Sequence, residues 1–123
     1  MLKIHTRNLG SVAIMCLQGR VVNGETEILR QAVSSLPSGS AVILDLARVT
    51  TVDAGGLGVM LELREQAEAK GIRFELMNVT GLVSRVLEVT RLDSVFRIAS
   101  AVEFFPAVSR SRRASMPALA PCA

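Results

Sequence analysis

Polar and apolar positions alternate along residues 2 to 7, Leu-Lys-Ile-His-Thr-Arg, which predicts a half-buried strand. Turn residues at Asn8-Leu-Gly10 separate it from a more continuously apolar strand over residues 11 to 17, so the chain opens with a hairpin. Residues 19 to 24 read as a loop, with Asn23 or Gly24 as the N-cap of a first helix and Glu25 and Glu27 near its positive end. Ile28, Leu29, Ala32, Val33 and Leu36 recur at helical spacing and mark one buried face, closed by Pro37-Ser-Gly39. The run from Ala41 to Leu46 has the unbroken apolar character of a strand buried on both faces.

After that strand and a short loop, Asp53 is followed by a helix that is apolar at its start (Leu57, Val59, Met60, Leu61, Leu63) and polar later (Glu62, Arg64, Glu65, Gln66, Glu68, Lys70). Gly71 suits the position just past its end. Residues 72 to 77 form the next strand, which makes a βαβ unit with parallel neighbours. Leu82, Val83, Val86 and Leu87 define a third helix that Thr80 can cap, residues 96 to 98 a brief extended piece, and Ser100-Ala-Val-Glu103 the capping box of a final helix to about residue 108. From residue 109 the composition turns to Ser, Arg, Ala and Pro without periodicity. The expected organisation is therefore one α/β domain at 1–108, with about four to five strands and about four helices mostly on one side of the sheet, and a disordered basic tail at 109–123.

Charge and composition change this picture little. Arg110, Arg112 and Arg113, all in the tail, account for the whole surplus of 14 Lys plus Arg over 11 Asp plus Glu, so the body offers no basic face of the kind that binds nucleic acid. Two cysteines, Cys16 in an apolar strand and Cys122 beside the C-terminus, read as a buried thiol and an unconstrained one, with no metal-ligand spacing and no implied cofactor. No apolar run reaches the ~18 residues of a membrane span, and the start does not read as a signal peptide, so the expectation is a reduced, cytoplasmic protein. His5 is the only histidine and falls on the polar side of its strand, and no nucleophile has an activating neighbour in sequence. Chemistry of its own is not expected. The edge strand at residues 2 to 7 offers a surface for pairing with another chain.

The stretch with most information is residues 45 to 58, Asp-Leu-Ala-Arg-Val-Thr-Thr-Val-Asp-Ala-Gly-Gly-Leu-Gly. Asp53 can cap the helix by accepting from the N–H of Gly55 or Gly56. Glycines there admit either a ligand or a partner backbone to the helix N-terminus, or close packing of the helix on the sheet. The pattern is neither a P-loop nor GxGxxG.

The spacing Asp-Leu-x-x-Val-Thr-x-Val-Asp-x-x-Gly-Leu-Gly-Val resembles the signature of the STAS superfamily, in particular bacterial anti-sigma-factor antagonists. Leu17-Gln-Gly19, the segment Val83 to Leu92 and Val95-Phe-Arg-Ile98 agree in order and spacing. The resemblance implies a mixed sheet with helices on one side and a non-catalytic interaction module for partner switching, which binds an anti-sigma factor that is also a serine kinase. It implies a partner surface of Asn23, Gly24, Asp53, Ala54, Gly55, Gly56 and Leu57. In the family the residue after the loop aspartate is a phosphorylated serine; here that position is Ala54, which has no hydroxyl. Arg20 and Val22 also stand where antagonists often carry acids. Thr50 and Thr51 are the nearest hydroxyls and read as hydrogen-bonded loop residues. Two other roles within the superfamily are a subunit of a membrane lipid-transport complex, docked through protein contacts, and a nucleotide- or anion-binding module, for which Arg48 is the only cation in the loop.

Overall fold

A computed structural model describes residues 1–99. The elements run β1 (Lys3–Leu9), β2 (Val12–Val21), α1 (Glu27–Ser34), β3 (Ala41–Val52), α2 (Ala54–Ala69), β4 (Arg73–Met77), α3 (Gly81–Val89) and β5 (Arg97–Ile98). The strands lie in chain order in one five-stranded sheet. β1 and β2 are antiparallel, joined across the Leu9↔Val12 pair by a turn in which Gly10 takes φ of 63°. The β2–β3, β3–β4 and β4–β5 pairs are all parallel, each joined by the helical crossover that parallel neighbours need.

Alternation sorts the strands onto two faces. Met15, Leu17, Val42, Leu44, Leu46, Phe74 and Leu76 point toward the helices and join Leu29, Val33, Leu57, Met60, Leu63, Val83 and Leu87 in the main core. Ile14, Cys16, Ile43 and Met77 point to the opposite face, where they form a smaller buried cluster with Ala99. Every residue from Val42 to Leu46 is buried, which is why that run shows no polar alternation. The starts of α2 and α3 and the end of α2 have identifiable signals. Asp53 and Thr80 accept from the N–H groups of Gly56 and Val83, and Gly71, at φ 73°, lets the Ile72 N–H close on the Ala67 carbonyl at 2.8 Å.

Several expected boundaries move. β2 continues through Gln18-Gly-Arg-Val21 and β3 through Ala47 to Val52, because the two extensions pair with each other across register shifts. The segments read as loops at 19–21 and 47–52 are thus a paired arm of the sheet, which local composition did not reveal. α1 begins later than expected. Gly24 turns at φ 89°, the Glu25 N–H bonds to the Val22 carbonyl at 3.1 Å, and Thr26, not Asn23 or Gly24, holds the N-cap position. Ile28 is 47% exposed, so the α1 core face narrows to Leu29 and Val33 with Ala32 and Leu36 at its margin. Cys16 is not the free thiol expected; it is disulfide-bonded. Three helices, not four, fall among the described residues; the helix expected at 100–108 and the tail at 109–123 lie outside them. No helix of the described residues is long and apolar enough to cross a membrane.

Candidate functional site

Parallel pairing brings the C-terminal ends of β2 and β3 side by side, with Val21 opposite Val52. The chain leaves β2 into the turn at Asn23 and leaves β3 directly into α2, so the two exits meet at Asp53. Its carboxylate accepts from the Gly56 N–H through Oδ1 at 2.8 Å, and from the Asn23 N–H at 3.1 Å (Oδ1) and 3.2 Å (Oδ2). Its own N–H donates to the Val21 carbonyl at 3.3 Å, and its carbonyl accepts from Leu57 at 2.9 Å. One side chain therefore caps α2 and fastens the β2–α1 turn to the helix start. The Gly56 hydrogen bond, with smaller help from Asn23, Gly55 and its own N–H, outweighs partial desolvation and holds the Asp53 carboxyl below its ordinary pKa.

The glycines have a packing explanation. A Cβ on Gly56 would lie 1.9 Å from the Val21 carbonyl oxygen, and one on Gly55 would lie 2.6 Å from Cβ of Asn23. The first turn of α2 thus sits against β2 and its exit turn at a distance only glycine permits. Gly58 faces open space. Of the two uses the sequence allows, close approach of the protein's own backbone accounts for Gly55 and Gly56. The helix N-terminal donors meet the protein's own carboxylate, which disfavours an added phosphate there.

Asn23, Gly24, Asp53 and Ala54 are exposed and adjacent, with Gly55 half-buried between them. Gly56 and Leu57, expected in the same surface, are buried; Leu57 is 4% exposed and belongs to the main core. They shape the surface from beneath. Ala54 is the first residue of α2 and presents its methyl group to solvent beside Asp53. Val22 is buried, and Arg20 lies exposed at the end of β2. Thr50 and Thr51 are in β3, not in a loop; the Thr50 hydroxyl donates to the Gly19 carbonyl at 3.2 Å.

Sequence reasoning missed Asp45. It is buried on the sheet face away from the helices and accepts from the Ala47 N–H at 3.0 Å and from Nδ2 of Asn78 at 3.2 Å. It ties β3 to the turn after β4, where Asn78 adopts φ of 54°. A carboxylate in the middle of an apolar strand run was the available signal, since such a group must find donors. Among the described residues no group of three or more His, Cys, Asp or Glu could hold a metal ion.

A sheet with helices banked on one face, and a capped helix start clamped to a neighbouring strand exit, define a small mixed α/β domain with a structured surface at the strand ends. The chain belongs to the STAS family: residues 4–99 match the family described as Mlab, STAS domain. It is 26% identical over 84 residues to a STAS-domain containing protein of Pseudomonas aeruginosa, an overlap of 68% of this chain and 83% of that one. Among solved structures, it is similar to an anti-sigma factor antagonist from Mycobacterium paratuberculosis (TM-score 0.69, 18% identity, covering 89% of this chain and 95% of that one). It is also similar to the anti-sigma factor antagonist SpoIIAA in its unphosphorylated form (TM-score 0.66, 20% identity, 88% and 95%). A shorter match to the protein Mglu, 30% identical with TM-score 0.55, takes 58% of this chain and spans only 18% of that larger one.

Proposed function

We propose that this chain is a non-catalytic interaction module of the anti-sigma-factor antagonist type. It docks an anti-sigma factor or related kinase-like regulator through Asn23, Gly24, Asp53, Ala54 and Gly55. The observation that carries this reading is the Asp53 clamp, which holds two otherwise independent loops as one preorganised surface around an exposed small residue. SpoIIAA, a relative in fold, is named in a phosphorylated form as well as an unphosphorylated one. The methyl group of Ala54 cannot accept a phosphoryl group, so a switch at this position is absent and binding is constitutive or governed elsewhere.

The test is binding to the purified anti-sigma-factor kinases of the native host. Ala54→Arg places a long cation on the exposed centre of the surface and should abolish binding, whereas Arg97→Glu, on β5 away from the site, should leave it unchanged. If Ala54→Arg binds as well as the wild type, the surface is wrongly assigned. Association only with a membrane permease and its ATPase would move the chain to transport.

A further inference from the structure

The β1 edge of the sheet carries a second surface. β1 pairs with β2 on one side, and among the described residues no strand lies along its outer edge. Lys3, His5 and Arg7 lie opposite Gln18, Cys16 and Ile14, which puts all three on the sheet face away from the helices; each is exposed. None of their side chains has an ion pair or hydrogen bond among the described residues. The first carboxylate in the chain is Glu25, so the whole β1–β2 hairpin, with Lys3, Arg7 and Arg20, has no acid of its own to neutralise it.

We infer that this edge receives an extended acidic segment of a partner protein, which adds to the sheet as a strand beside β1 and places alternate carboxylates along Lys3, His5 and Arg7. The main-chain edge supplies affinity independent of sequence, and the Lys3 and Arg7 cations, with the His5 ring between them as a hydrogen-bonding group, supply the preference for acid at alternate positions. A second copy of this chain is disfavoured as the occupant, because two such edges would bring like charges together; basic edge residues block self-pairing while leaving an acidic strand acceptable.

The test uses the full chain labelled with nitrogen-15 and a capped heptapeptide alternating valine and glutamate. Comparison probes are the valine–lysine counterpart, a peptide of the first composition in block order, and phosphatidylglycerol-containing vesicles. The alternating acidic peptide should shift the amides of Lys3 to Leu9 most, more strongly than the block peptide. The double variant Lys3→Glu with Arg7→Glu should bind it about tenfold more weakly, and should gain binding to the lysine peptide. That exchange of preference distinguishes loss of the edge from loss of the fold. Absence of shifts in β1, indifference to charge reversal, or binding of vesicles but not peptide would each overturn the inference. None of these results bears on the Ala54 surface.

Discussion

Replacing Gly56 by alanine tests whether the glycines of α2 serve the protein's own packing. The added Cβ would stand 1.9 Å from the Val21 carbonyl oxygen, 2.6 Å from its carbon and 3.0 Å from Cγ1. Ordinary contact begins at 3.4 Å, so the helix start and the β2 exit must separate by about 1.5 Å. No rotamer change relieves this, because the two nearest obstructing atoms are backbone. Overpacking of this kind costs about 3 kcal/mol, offset by about 1 kcal/mol of helix propensity gained over glycine. Gly56→Ala should therefore lose about 2 kcal/mol, and with it roughly 10 °C of melting temperature for a domain of this size. Gly58→Ala, two residues along the same helix, meets nothing within 4 Å and should keep the propensity gain of up to about 1 kcal/mol. Urea unfolding of the two variants beside the wild type measures both. Equal effects, or a Gly56→Ala variant more stable than wild type, would refute the packing argument and return the glycines to ligand access.

Other consequences concern the clamp and the core beneath it. Because hydrogen bonds lower the folded pKa of Asp53, its stabilisation is fully present above the ordinary carboxylate value of about 4 and is lost as pH falls through the folded value. The stability gap between wild type and Asp53→Asn should therefore be wide near neutrality and close in acid, as urea midpoints across pH will show; a gap independent of pH would contradict the assignment. Leu57→Ala should cost about 3 kcal/mol in unfolding, the cost of a buried leucine, while partner affinity at a temperature where the variant is folded stays within about twofold. A variant of wild-type stability that has lost partner binding would put Leu57 back on the surface.

The fold was legible where periodicity was strong. The apolar run at 41–46, the Asp53 and Thr80 caps and the Gly71 stop all stand as the residues imply, since each depends on local chemistry. What local chemistry could not show was the arm formed by residues 18–21 and 48–52, whose strand character comes from pairing between segments about thirty positions apart. The site divides in the same way. Asp53 and its glycines stand out in sequence, but the Asn23 N–H as a second donor, and Val21 as the reason for Gly56, exist only once the parallel ends are aligned. The family resemblance implies Gly56 and Leu57 as part of the partner surface, but both are buried. The helix turns them under it.

Under the proposed function, this surface keeps the docking geometry of an antagonist without a switch at Ala54. The most direct measurement is the fate of its complex with a host anti-sigma-factor kinase when ATP and magnesium are added, for wild type and Ala54→Ser in parallel. The account predicts that the wild-type complex persists with no phosphate incorporated, while the Ala54→Ser complex is phosphorylated at the new hydroxyl and dissociates. Release of the wild type with phosphate on Thr50 or Thr51, or an Ala54→Ser complex as inert as the wild type, would contradict it.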